Sequence, residues 1–363
     1  MKKTMKKIRV AILFGGKSAE HEVSIQSAKN VFHSLDKSKY QPFLIGIDKK
    51  GAWHHLNENY LLESSFSHQK SLQDSSEVSL VVKGGNSLVI TSPSESLENI
   101  DVVFPVLHGP FGEDGTVQGA LQLMNIPYVG AGVLGSAVGM DKDVMKRLFR
   151  DAGIPIAKFF SFKKGEKIEF IAVAKELKLP FFIKPANLGS SIGVNKVHNE
   201  SEFDSAIKKA FAYDNKILIE EYIDGREIEI SVLGNENPLV SLPGEIIANH
   251  EFYDYDAKYL DEHGADLKVP ADMSQEEITE MQILAKKTFK TLCLEGMARI
   301  DCFFTKDGRF YVNEVNTIPG FTNISMYPKL WEASGISYTE LIDRLIQLAI
   351  ERYERQKQLR SSL

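Results

Sequence analysis

Cysteine is nearly absent: Cys293 and Cys302 are the 2 cysteines among 363 residues. Their spacing fits no paired zinc-ligand motif, and two thiols are too few for a disulfide framework, so a reducing compartment is expected. No stretch approaches the roughly 20 consecutive apolar residues that a membrane helix needs. The basic start Met1–Arg9 precedes an apolar run, Val10–Phe14, too short for the hydrophobic region of a signal peptide and cut off by Gly15-Gly16-Lys17. A buried first strand is the simpler reading. Positive charge is not in surplus either. With 43 Lys and Arg against 49 Asp and Glu the net charge is −6, so no global electropositive face advertises nucleic acid. Any anionic ligand must be held by local lysines and backbone N–H groups. A cytoplasmic protein with neither a nucleic-acid nor a membrane partner is expected.

What is present is ordinary globular composition, 43% hydrophobic and 25% charged. The length predicts two or three domains. Up to Gly139 strand-like runs (IRVAILFGG, YQPFLIGID, DVVFPVL) alternate with helical ones such as Val23–Leu35, which predicts an α/β layer on a parallel sheet. Trp53–Asn99 is rich in Ser, Asn and Glu and contains one hairpin pattern, SLVVKGGNSLVI, turned at Gly84-Gly85-Asn86. A second segment, 140–226, runs from a helix through LPFFIKPANLGSSIGVNKV to the strand ILIEEYI. A third, 227–363, holds EIEISVL, LVSLPGEII, a polar loop over 249–267, a helix near Glu276–Leu292, and the strands MARIDCFFT and RFYVNEVN joined at Asp307-Gly308. The closing helix, Tyr338–Glu354, puts Leu341, Leu345 and Leu348 on one face, as core.

Two glycine patterns mislead. Gly16-Lys17-Ser18 resembles the end of a P-loop, but Ala11 stands where that motif needs its first glycine. Gly130-Ala131-Gly132-Val133-Leu134-Gly135 satisfies G-x-G-x-x-G. The next plausible strand, Pro155–Phe162, nevertheless ends in Lys163-Lys164 rather than the acidic residue a dinucleotide fold requires. A tight loop between domains explains those glycines better.

The strongest local signal is Arg299-Ile300-Asp301 on one strand and Asn313-Glu314-Val315-Asn316 on the next. Alternate residues of a strand share a face, so Glu314 and Asn316 project together. If the two strands pair, Asp301 joins them, giving two carboxylates and an amide oxygen suited to Mg²⁺ with substrate phosphates. Arg299 shares a face with Asp301 and can supply positive charge where an oxyanion develops. A salt-bridged cluster on a sheet is the competing reading. Lys184 ends the apolar strand FFIK beside Asn187–Gly193, a turn whose N–H groups and hydroxyls, Ser190 and Ser191 included, suit phosphate oxygens. Lys142, at a helix entrance, is a second phosphate candidate. The strand Ile217–Ile223 can offer backbone to an adenine edge, with an acidic residue near Glu227 for ribose. Gly320, in Pro319-Gly320-Phe321-Thr322, lies close enough to Asn316 for its N–H to act with Arg299 as an oxyanion hole.

Taken in order, the strings FGGKSAEHEVS, LHGPFGEDGTVQG, GMDK, IKPANLGSSIGV, IEEYIDGRE, FYDYDAKY, MARIDCFF and NEVNTIPGFTNISMYP resemble the D-alanine–D-alanine ligases along essentially the whole chain. The resemblance implies a three-domain ATP-grasp architecture, α/β overall and α+β in the grasp itself. Its divisions would be 1–139 (first substrate), 140–226 (central grasp) and 227–363 (C-terminal grasp, metal and acceptor). It implies ATP-dependent joining of two D-alanines through an acyl phosphate for bacterial peptidoglycan synthesis, with two Mg²⁺ or Mn²⁺ ions, in a homodimer. By the same match Lys142, Lys184 and Lys258 contact phosphates, with Ser190 and Ser191 nearby. Glu220, Glu221, Ile223 and Glu227 hold adenine and ribose. Asp301, Glu314 and Asn316 bind metal. Glu20, with His108 nearby, takes the ammonium of the first D-alanine, and Ser325 and Met326 the carboxylate of the second. Tyr259 and Ser190 link to Glu20 as a latch on the loop over 252–259. A D-lactate-using ligase is the nearest alternative, and a non-catalytic nucleotide-binding regulator the distant one.

Overall fold

The structure, a computed structural model, describes residues 6–62, 76–82, 88–91, 99–248 and 265–359. The first segment contains β1 (Ile8–Gly15), α1 (His21–Ser34), β2 (Tyr40–Ile47), β3 (Trp53–Leu56), α2 (Asn59–Leu62), β4 (Ser76–Glu77), β5 (Ser79–Val82), β6 (Leu88–Thr91), β7 (Asn99–Ile100), β8 (Val102–Val106), α3 (Thr116–Leu123) and α4 (Val133–Met140). β1 runs parallel to β2 and to β8, with Val10–Phe14 buried on both faces as a central parallel strand requires. The sheet, ordered β4-β3-β2-β1-β8, is mixed rather than wholly parallel, because β3 and β4 pair antiparallel. The cause is local: Asp48 accepts the N–H groups of Lys50 and Ala52 at 2.8 Å each, and Gly51 takes φ 96°, so the chain turns straight back with no crossover helix. β5 and β6 pair antiparallel as the hairpin pattern predicts, while its turn, 84–86, lies outside the described residues.

The second segment contains α5 (Lys142–Asp151), β9 (Phe159–Lys163), α6 (Phe170–Leu177), β10 (Phe181–Pro185), β11 (Asn195–Val197), α7 (Glu200–Phe211) and β12 (Lys216–Glu221). β9 starts four residues later than the sequence pattern suggests. The antiparallel sheet β11-β10-β12-β9 presses Phe181, Ile183, Ile217 and Ile219 onto Val173, Leu177, Phe203 and Ala206 of α6 and α7. By strand alternation Phe182, Lys184, Leu218 and Glu220 occupy the opposite face. One face is therefore core and the other is available to a ligand.

The third segment contains β13 (Gly225–Gly234), β14 (Leu239–Val240), β15 (Gly244–Ala248), β16 (Ala265–Lys268), α8 (Gln275–Thr291), β17 (Gly296–Thr305), β18 (Phe310–Asn316), α9 (Met326–Ala333) and α10 (Tyr338–Lys357). Its sheet is ordered β16-β15-β13-β17-β18, with β14 on β13. α8 starts with a full capping box, Ser274 and Glu277 each bonding the other's backbone. Leu341 and Leu345 of α10, with Phe321, Tyr327 and Trp331, share one core with Val10, Ile12, Val31 and Phe104 of the first segment. The chain's beginning and end are thus welded together by burial. The G-x-G-x-x-G glycines serve packing against the third segment: a Cβ on Gly135 would fall 2.9 Å from Leu294, and Gly130 offers its carbonyl to the buried Arg352.

Candidate functional site

A cleft of about 490 Å³ opens between these segments. β17 and β18 form its floor. They pair with Arg299 opposite Asn316 and Asp301 opposite Glu314, so the four residues singled out in the sequence meet on one sheet face. A bulge between Asp301 and Cys302 shifts the register, and Asn313 joins Glu314 and Asn316 in lining the cleft.

The floor is self-neutralised. Arg299 donates to both oxygens of Asp301 at 2.8 and 2.7 Å and contacts Glu229 at 2.9 Å. Glu229 lies directly opposite Asp301 across β13 and β17, so the guanidinium separates two carboxylates that would otherwise repel. Asn316 donates its amide to Asp301 at 2.9 Å. Among the described residues no three His, Cys, Asp or Glu side chains cluster as a metal set. The donor chemistry still suits a hard cation: two carboxylates and an amide oxygen, with room for water and phosphate ligands.

The lysines approach from the other side. Lys142 is the first residue of α5, after the Asp141 cap, and its ammonium donates to the Leu188 carbonyl at 2.7 Å and contacts Glu314 at 3.3 Å. Lys184 on β10 donates to Asn313 at 3.3 Å and pairs with Glu220. Both are more than nine-tenths buried. Glu220 in turn pairs with Lys146, which is wholly buried. Burial alone would raise the Glu220 carboxyl; the ammoniums of Lys146 and Lys184 overcome it and hold the group below the usual carboxylate range. Burial pushes Lys146 down.

At the near end, Glu20 stands at the start of α1 with its side chain free of any capping bond, and it accepts a short hydrogen bond from Ser190. Gly109 must be glycine here: φ is 74° and a Cβ would sit 2.5 Å from the Glu20 carboxylate. His108 is buried, in hydrogen-bond range of the Ile318 carbonyl at 3.0 Å and the Ser27 hydroxyl at 3.2 Å; burial lowers its pKa, partly opposed by Glu20. Glu113 accepts from the N–H of Gly109 at 2.8 Å and of Ile318 at 3.0 Å. Burial, then the charge of Glu20, pushes its carboxyl up to about 8.

At the far end Gly320, Ser325 and Met326 line the cleft, and a Cβ on Gly320 would meet the Ser325 hydroxyl at 2.6 Å. Ser325 begins α9 and accepts from the Thr322 N–H at 2.9 Å. Glu227 lines the cleft as well. Glu221 turns its carboxylate away to the Lys158 N–H at 2.7 Å, and its own N–H donates to the Lys158 carbonyl at 3.0 Å. Ser190 and Ser191 take φ of 53° and 58°, a left-handed turn that costs L-residues energy. Ile223 follows β12 at the exit toward β13. Lys258 and Tyr259 lie outside the described residues. Sequence reasoning missed Glu113, Lys146, Glu229 and Asn313. Lys146 stands one turn after Lys142 and Glu229 two residues after Glu227, a periodic signal for both.

Two family models match: the D-ala D-ala ligase N-terminus over residues 9–131 and the D-ala D-ala ligase C-terminus over 148–347. The chain belongs to the D-alanine–D-alanine ligase family. It is 53% identical over 364 residues to the D-alanine–D-alanine ligase of Oceanobacillus iheyensis, covering 99% of each chain. It is 48% identical to D-alanine–D-alanine ligase A of Salmonella typhimurium, covering 99% of this chain and 100% of that one. Among solved structures it resembles the D-alanine–D-alanine ligase of Coxiella burnetii (TM-score 0.88, 40% identity, 97% and 96% covered). It also resembles a D-Ala:D-Ser ligase of Enterococcus faecalis (TM-score 0.83, 36% identity, 95% and 100% covered). The ATP-grasp fold is the one these structures share with the chain. No described helix is long and apolar enough to cross a membrane.

Proposed function

We propose that the protein joins two D-alanine molecules at the expense of ATP, and that its cleft residues act as follows. Lys142 and Lys184 neutralise the triphosphate, with Ser190 and Ser191 beside it and Lys258 as a third cation. Glu227 and Ile223 hold ribose and adenine; Glu220, whose two carboxylate oxygens are taken by Lys146 and Lys184, and Glu221, bonded to the Lys158 backbone, line the same strand. Asp301, Glu314 and Asn316 hold two divalent ions, Mg²⁺ or Mn²⁺, which supply charge neutralisation at the phosphates when bound. The observation that supports this reading is the meeting of Arg299, Asp301, Glu314 and Asn316 on one cleft floor, with the buried Lys142 reaching Glu314 and Lys184 reaching Asn313 from behind it.

Glu20, negative and buried, pairs with the ammonium of the first D-alanine and so turns its carboxylate toward the phosphates. A carboxylate repels an attacking amine, so phosphorylation by ATP supplies a leaving group. The amine of the second D-alanine then displaces phosphate. Arg299 and the Gly320 N–H face the oxyanion that develops. Ser325 and the Met326 N–H, at the start of α9, receive the second carboxylate, where the helix N-terminus favours negative charge. Neutral His108, held by Ile318 and Ser27, orients the first substrate without adding a competing charge. Tyr259, which lies outside the described residues, would act with Glu20 and Ser190 to keep water from the acyl phosphate.

We read the chain as divided at 139 and 226, and as a homodimer, which light scattering tests. Its two free thiols suit the cytosol. The decisive assay follows ADP release with D-alanine, L-alanine, D-lactate and D-serine in parallel. D-alanine-dependent turnover with dipeptide formation is expected; ATP turnover indifferent to D-alanine would overturn the reading.

A further inference from the structure

Lys146 has no place in the chemistry described so far, and it is the odd member of its cluster. It is a wholly buried lysine, four residues after Lys142 on α5 and therefore on the same helix face. Its ammonium pairs with one oxygen of Glu220 while Lys184 takes the other. Lys184 and Glu220 lie on adjacent antiparallel strands, Lys184 opposite Leu218, two residues before Glu220, so the pair is built into the sheet. Lys142 meanwhile pairs with Glu314. Among the described residues the cluster thus holds three ammoniums against two carboxylates, in a place where charge is costly to bury unpaired. Without Lys146 the count balances: Lys184 with Glu220, Lys142 with Glu314. A balanced cluster has no reason to attract an anion.

We propose that Lys146 is a positioning residue for the nucleotide, acting as the standing counter-ion of Glu220 so that the charge of Lys184 is left for the phosphates. This rests on the reading that Lys184 receives phosphate. The alternative to Lys146 is a Glu220 that claims Lys184 for itself, because a buried carboxylate stripped of its only cation is strongly disfavoured. Its role is therefore electrostatic and remote from the reacting atoms, and it grows with the number of phosphates on the ligand.

The test is nucleotide binding by titration calorimetry, on the full chain, for Lys146→Met alone and combined with Glu220→Gln. AMP is measured in parallel by displacement of a fluorescent nucleotide. Lys146→Met is expected to weaken Mg·ATP binding by about tenfold or more and AMP binding by less than about threefold, with the unliganded melting temperature kept, since the remaining pairs are neutral. In the Glu220→Gln background the same substitution is expected to cost less than about threefold, because no carboxylate remains to claim Lys184. An equal loss for ATP and AMP, or a tenfold loss that persists beside Glu220→Gln, would show a merely structural lysine and overturn the proposal. Unchanged ATP binding would overturn it too, as would failure to fold of both Lys146→Met and Lys146→Gln. Lys184→Met separates the two readings. If that variant binds ATP like the parent, the phosphate role of Lys184 has failed. If it binds weakly while Lys146→Met binds normally, only the inference about Lys146 has failed.

Discussion

Replacing Arg299 by Met separates the two duties of the cleft floor. The guanidinium stands between Asp301 and Glu229, which face each other across β13 and β17, with contacts of 2.7 to 2.9 Å. Glu229 is 5% exposed, so the pair resists rescue by solvent. Removing one partner of a buried ion pair costs roughly 3–5 kcal/mol, and the opposed carboxylates here put the loss toward the upper end. For a chain this long, about 1 kcal/mol shifts Tm by roughly 2–4 °C or less, so a drop on the order of 10 °C is expected. Saturating Mg²⁺ should recover part of it, since a cation on Asp301 replaces the lost charge. Turnover should fall by about 10²-fold or more even at a temperature where the variant is folded, as for loss of an oxyanion donor. Melting curves with and without Mg²⁺, beside kcat from coupled ADP release, read both effects. A variant that loses stability but keeps near-normal kcat would refute the oxyanion role; one that keeps its Tm would refute the bridging account.

Glu314→Gln should raise the Mg²⁺ concentration for half-maximal activity at least about tenfold, since a charged oxygen donor becomes neutral; an unmoved Mg²⁺ titration would remove Glu314 from the metal set. Gly320→Ala drives a Cβ to 2.6 Å from the Ser325 hydroxyl, so it should raise KM for the second D-alanine about tenfold while changing Tm little; an unaltered acceptor KM would detach Ser325 from the acceptor carboxylate. The Glu113 carboxyl is raised from 4.5 to about 8 in the fold, so its neutral form stabilises the protein fully below the lower value and that contribution is lost as pH rises through the upper one. Glu113→Gln, neutral at every pH, should flatten the decline of Tm between those two values; an unchanged slope would mean that another group titrates there.

The floor of the site was legible because strand alternation is a strong rule: Arg299 with Asp301, and Glu314 with Asn316, share a face whatever else the fold does. Asn313 was not, since alternation points it away and only the bulge at Asp301/Cys302 turns it into the cleft. Lys142 and Lys184 were readable from their places at a helix entrance and a strand end. Their partners were not, because ion pairs such as Lys142 with Glu314 join residues that only the tertiary fold brings together. Lys146 was hidden by habit: a lysine inside an amphipathic helix reads as solvated, and this one is wholly buried. The parallel β1–β2–β8 core followed from strand–helix alternation, while the antiparallel β3 and β4 depended on the tight Asp48–Ala52 turn.

The position of Gly320 is set largely from the first segment, two hundred residues and more away in sequence. Ile318 is held on both sides, its carbonyl by His108 and its N–H by Glu113. Phe321 is held likewise, its N–H by the Ser27 hydroxyl at 3.1 Å and its carbonyl by Asn30 at 2.9 Å and Tyr338 at 2.6 Å. Gly320 lies between these two anchored residues, so its backbone cannot move without breaking bonds to α1 or to the loop after β8. On the proposed reading, the segment that would take the first substrate therefore also places the N–H that would face the oxyanion. The shared core of Phe321, Trp331 and Leu345 with Val31 and Phe104 makes that placement rigid. The β9–β12 sheet packs its own separate core and meets Glu20 through Ser190. A rigid wall on one side of the cleft, and on the other a sheet with its own core joined to the floor through polar contacts such as Lys184 with Asn313, is the arrangement a clamp over ATP requires.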